Sequence, residues 1–98
     1  NIKIEKKIRY PWDFENNKIK YPASVGDKIR IVNKIKNDAK YTSFYGEVYD
    51  VLPEGINVVD GSPKWSGRIP ENSTEWFSYT ITSDIPITFK TYSIILYK

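Results

Sequence analysis

The sequence contains no His, no Cys and no Met, and Gln is missing as well. Without imidazole or thiol the chain lacks the usual general base near neutral pH and the thiolate nucleophile. It also lacks the ligands of nearly every zinc, copper, haem or iron–sulfur site. No cofactor and no metal are expected, and chemistry is left to carboxylates, Lys, Ser, Thr and Tyr. No disulfide can form. The chain has no apolar run of the roughly 20 residues that a membrane span needs, so direct insertion by this domain is not expected. Helical periodicity is nearly absent too, since no stretch of a dozen residues repeats apolar positions at three-and-four spacing.

What is present is a globular composition. Of 98 residues, 40% are hydrophobic, 15% aromatic and 28% charged, which fits one domain with one core and leaves no room for a second. The chain opens at Asn1 without an initiator Met and stops at Lys98 inside an apparent strand, so residues 1–98 read as a single domain excised from a longer protein. The net charge of +3 is unevenly laid out. Residues 1–40 hold eleven Lys and Arg against five Asp and Glu, and residues 41–98 hold four against seven. Lys3, Lys7, Lys28, Arg30, Lys34 and Lys36 read as the solvent faces of two strands, where Lys also discourages edge-to-edge pairing. Nucleic acid is not an expected partner, because Arg9, Arg30 and Arg68 are scattered and no phosphate loop or aromatic RNP strand accompanies them.

Alternation and turn residues divide the chain into short strands. Ile2 to Arg9 is the first, with Ile2, Ile4 and Ile8 on one parity and Lys6 interrupting it, as an edge strand tolerates. An irregular segment from Tyr10 to Gly26 carries Tyr10, Trp12 and Phe14. Asp27 to Lys36 alternates most clearly, Ile29, Ile31 and Ile35 facing one way, with Asn33 on the same apolar parity. Tyr41 to Val51 follows the Asn37-Asp38 turn, and Gly46 within it suggests a bulge or a close backbone approach. Ile56 to Val59, Lys64 to Ile69, Ser73 to Thr82 and Ile87 to Tyr97 complete seven strands. That number, with frequent turns, points to an all-β sandwich of Ig-like type.

The run Asp27-Lys28-Ile29-Arg30-Ile31-Val32-Asn33-Lys34-Ile35-Lys36-Asn37-Asp38, preceded by Val25-Gly26, resembles the opening strand of Ig-like repeat domains in archaeal and bacterial cell-surface proteins. Asp50-Val51-Leu52-Pro53-Glu54-Gly55-Ile56 is similar to the D-x-L-P-x-G signature of that family. Gly61, Trp65-Ser66-Gly67 and Ile69-Pro70 fall where its next segment lies. Asn37-Asp38-Ala39-Lys40 departs from it, because the family usually places a Gly there. Within the motif, Pro53 fixes φ and withholds a donor while Gly55 takes the positive φ that turns the chain. The resemblance implies an S-layer-like or adhesin-like module at the cell surface, used as a spacer, stalk or assembly unit. It brings no catalytic residues.

Three sets of side chains deserve weighing as sites. Asp50, Glu54 and Asp60 gather near one turn, but a pair of facing carboxylates is not evident and they read as solvated. No Gly-x-Ser-x-Gly elbow or Ser-x-x-Lys motif supplies a nucleophile, so the chain reads as a non-enzyme. Trp65 and Trp76 are expected in the core, whereas Trp12 and Tyr10 lie in the irregular segment and are candidates for contact with a neighbouring domain or a glycan. Asn72-Ser73-Thr74 is the one glycosylation sequon and falls in a turn. The expected function is therefore a non-catalytic structural or interaction module of a prokaryotic cell-surface or secreted protein. Its expected partners are neighbouring domains or other surface proteins. The alternative is a carbohydrate-binding module that uses exposed Trp and Tyr.

Overall fold

The structure, a computed structural model, describes residues 1–9, 25–86 and 91–98. The chain forms the expected all-β sandwich. Seven strands follow one another: β1 (Ile2–Arg9), β2 (Ile29–Asn37), β3 (Phe44–Val51), β4 (Ile56–Gly61), β5 (Lys64–Ile69), β6 (Ser73–Ser83) and β7 (Tyr92–Tyr97). They build a four-stranded sheet in the order β1-β2-β6-β4 and a three-stranded sheet in the order β5-β3-β7, with every pairing antiparallel. From β2 onward each successive strand belongs to the other sheet, so the connections lace the two layers together.

The core follows from period-two alternation. In β2, Ile31, Asn33, Ile35 and Asn37 point inward and are buried, and in β3 Phe44, Gly46, Val48 and Asp50 do the same. One apolar cluster joins Ile35 of the first sheet to Phe44, Val48 and Ile69 of the second, with Ile4, Trp65 and Ile95 packed against it. A second gathers Ile31, Tyr79 and Ile81, with Leu52 and Ile56 beside them. Each fully buried aliphatic or aromatic side chain contributes about 1.5–3 kcal/mol relative to exposure. Leu52 thus plugs the core as β3 ends, as the Leu-Pro-x-Gly turn suggests, and Gly55 takes φ 91°. At Gly46 a Cβ would overlap the backbone carbonyl of Leu96 and come within 2.8 Å of the Phe44 ring, so the residue marks a close approach of β7.

Several expectations are corrected. Trp65 packs on the core, but Trp76 is 55% exposed on the outer face of β6, with the Lys34 ammonium 5.5 Å from its ring centroid. The reason is parity: Phe77, Tyr79 and Ile81 take the inward positions of β6 and leave the opposite phase to Trp76. The third strand begins at Phe44, and Tyr41 stands almost fully exposed before it. Asn37 is not a surface turn residue. Its buried Nδ2 donates to the carbonyls of Thr42, Ile69 and Pro70, and its Oδ1 accepts from the Ala39 amide. This side chain organises the segment where a Gly was missing. Of the basic residues on β1 and β2, Lys34 and Arg30 are part-buried and face Glu5 and Asp60. Of these two strands β1 lies at an edge and β2 is interior, so the edge-protection argument applies to Lys3 and Lys7 and not to β2.

Candidate functional site

Beside Phe77, which packs against both apolar clusters, five polar side chains form a layer between them. Lys6 interrupts the inward parity of β1, Asn33 lies between Ile31 and Ile35 on β2, and Tyr79 follows Phe77 on β6. From the opposite sheet come Asp50, between Val48 and Leu52, and Ser93 on β7. Register places them. Lys6 is the direct cross-strand partner of Asn33, and Asp50 is the direct partner of Ser93. The layer is therefore two facing cross-strand pairs plus a phenol.

Asp50 is the hub, with its side chain fully withdrawn from solvent. Its Oδ2 accepts from the Tyr79 hydroxyl at 2.5 Å and from Asn33 Nδ2 at 2.8 Å, and it lies 2.5 Å from Lys6 Nζ. Its Oδ1 accepts from the Ser93 hydroxyl at 2.5 Å. Lys6 Nζ donates in turn to Asn33 Oδ1 at 2.8 Å and to Ser93 Oγ at 3.2 Å. Burial alone pushes the Asp50 carboxyl up. The hydrogen bonds from Lys6, Ser93, Tyr79 and Asn33 outweigh it and hold the group below the usual carboxylate range. Burial, followed by the bond to Asp50 and its charge, pushes the Tyr79 phenol far above its ordinary value, so it remains a donor.

Two sequence readings change here. Asp50 is no solvated turn carboxylate, because its position in β3 shares the inward parity of Phe44 and Val48. Lys6 does not break parity out of edge-strand tolerance, since its side chain is only 17% exposed and ends on Asp50. Glu54 and Asp60 are exposed, so Asp50, Glu54 and Asp60 do not converge on a cleft. Among the described residues no group of three or more carboxylates gathers as for a metal ion. The polar layer escaped sequence reasoning as a unit, although its signal was visible: Lys6 and Asn33 each sit on the apolar parity of an otherwise regular strand.

Trp12 and Tyr10 lie outside the described residues. Asn72 stands exposed in the Pro70–Ser73 turn with φ 54°, a conformation that Asn adopts more readily than most residues. A surface not singled out from the sequence is the outer face of the three-stranded sheet. There Tyr45 is 53%, Tyr92 60% and Leu96 46% exposed, with half-buried Tyr49, Val51 and Ile94 between them. Arg68 lies over the Tyr45 ring at 5.9 Å. At one pole of the sandwich Asn1 and Lys98 line a common groove of about 270 Å³, so both ends of the chain emerge together. No protein-family model matches the chain, and no curated protein matches it.

Proposed function

We propose that this domain is a non-catalytic interaction module of a prokaryotic cell-surface or secreted protein. The observation that carries the reading is the aromatic outer face of the three-stranded sheet, Tyr45, Tyr49, Tyr92 and Leu96. It offers a contact area of the amphipathic kind enriched at interfaces, with Glu47 and its ion pair to Lys64 beside the rings. Among the described residues, the polar layer supports the non-catalytic part, because it is sealed between the sheets with its donors and acceptors paired, out of reach of an external substrate.

An antibody raised against the folded domain tests the location. Labelling of intact, unpermeabilised cells of the source organism is expected, and labelling only after permeabilisation overturns the reading. A carbohydrate-binding role remains the second reading, favoured by exposed Trp76 on one outer face and by exposed Tyr45 and Tyr92 on the other. Saturable quenching of Trp fluorescence by soluble glycans would establish it in place of protein–protein contact.

A further inference from the structure

We propose that Lys6 and Asn33 join through an intramolecular amide bond, formed autocatalytically with Asp50 as the proton carrier. An amine and a primary carboxamide do not react in water at useful rates. Three features of the buried layer change that. First, the reactants are directly opposite on adjacent strands, with Nζ already 2.8 Å from Asn33 Oδ1, so translational and rotational freedom is spent on folding. Second, Asp50 Oδ2 touches both nitrogens that must exchange a proton. It lies 2.5 Å from the attacking Nζ and 2.8 Å from the leaving Nδ2. Third, the carboxyl is shielded from solvent, so bulk water does not compete for the protons that pass between these atoms.

The step balances without any co-reactant. Lys6 Nζ passes one proton to Asp50 Oδ2, and the freed lone pair attacks Asn33 Cγ. The carboxamide oxygen takes up the developing negative charge. Asp50 returns the proton to Nδ2 as the Cγ–Nδ2 bond breaks, and the attacking nitrogen loses its second proton to the departing ammonia. The products are one Nζ–Cγ amide, one ammonium ion and the regenerated Asp50 carboxylate. Tyr79 and Ser93 are positioning residues that hold the carboxylate against both nitrogens. Asn33 is the electrophile, and not Asp50, because condensation on Asp50 would consume the carboxyl and leave no second one among the described residues of the layer to move the protons. The bond would staple edge strand β1 to β2 across 27 positions, in a chain that has no cysteine to do so.

The test is the intact mass of the folded and then denatured wild-type protein. It should be lighter than its sequence by one ammonia, and proteolysis should yield a branched peptide joining Lys6 to Asn33. A wild-type mass equal to the sequence overturns the proposal, and a deficit of one water places the bond on Asp50 and overturns the assignment to Asn33. Lys6→Arg should restore the full mass. Retention of the deficit in that variant would trace it to cyclisation of another Asn and refute the cross-link. Asp50→Ala keeps both reactants and should also show the full mass, whereas cross-linking in that variant would remove the role given to the carboxylate. Because mass is read on denatured chains, and the wild type alone can refute the bond, the outcome does not depend on the variants folding.

Discussion

Replacing Tyr79 with Phe removes a single oxygen from the middle of the sandwich and keeps the ring. That ring is completely buried and stacks on Phe77 at 6.5 Å between centroids, so the substitution isolates the hydroxyl. The lost bond runs to an ionised carboxylate, a type worth about 1.5–3 kcal/mol. Asp50 keeps Lys6, Asn33 and Ser93 as partners, which sets the expectation at the lower end, about 1.5 kcal/mol. For a domain of this size that is roughly 6–12 °C in Tm. Urea unfolding at pH 7 should show a lower midpoint with an unchanged slope. The pH dependence makes the test sharper. The folded-state value for Asp50 is depressed, so its stabilisation is fully present above the unfolded carboxylate value of about 3.9 and is lost as pH falls through the folded value. Lys6, Tyr79, Ser93 and Asn33 are the groups facing it, and the Tyr79 bond is one of the causes of the depression. The variant's carboxyl therefore moves back toward the ordinary range, and the gap between wild type and variant should narrow as the pH falls below about 4. A loss under about 0.5 kcal/mol at pH 7, or a gap that does not change on acidification, would refute the claim that Tyr79 stabilises the ionised carboxylate.

Gly46→Ala should cost about 1–3 kcal/mol in urea unfolding, because its Cβ meets the fixed carbonyl of Leu96, and relief requires β7 to shift. A neutral result would mean that β3 and β7 are not so closely opposed there. Trp76→Ala should cost no more than about 1 kcal/mol, the scale of an exposed cation–π contact with Lys34, and a loss of about 3–5 kcal/mol would return Trp76 to the core. At Asn72, with φ 54°, Gly should be tolerated, whereas Val should cost about 1–2 kcal/mol in thermal unfolding; equal melting of the two variants would contradict the left-handed turn.

How far the sequence discloses the fold depends on how cleanly each strand alternates. β1 and β5 are readable to the residue, because Ile2 to Arg9 and Lys64 to Ile69 are bounded by Pro or turn residues. Tyr41 reads as strand because an aromatic there looks like a continuation of Phe44. Nothing local distinguishes it from a residue left exposed when Asn37 organises the preceding segment through contacts with Ile69 and Pro70, more than thirty positions away. Trp76 misleads in the opposite direction. Size and hydrophobicity argue for the core, and only the adjacent Phe77, Tyr79 and Ile81, which fill the inward phase, decide against it. The polar layer is legible one residue at a time, as misplaced polarity on β1 and β2. Asp50 is masked by the turn signature that follows it, and the meeting of Lys6, Asn33 and Asp50 depends on how the two sheets face each other.

The polar layer also answers a question that the apolar pattern leaves open. Alternation forbids a slip of β1 by one residue, because Ile2 and Ile4, which pack on the core, would turn to solvent. A slip by two preserves that alternation and by itself loses little. It would, however, set Lys6 opposite Ile31 or Ile35 in place of Asn33, carry its ammonium away from Asp50 and leave the buried carboxylate without its counter-charge. Leaving such a charge uncompensated typically costs about 3–5 kcal/mol, comparable to the whole stability of many small domains. A fully apolar layer of similar volume would stabilise the sandwich as much, but it would accept the shifted pairing almost as well as the native one. In a chain with no cysteine to pin its strands, the Lys6–Asn33 pair and the Asp50 hub set the register of the edge strand, and the same geometry brings an amine, a carboxamide and a carboxyl into contact.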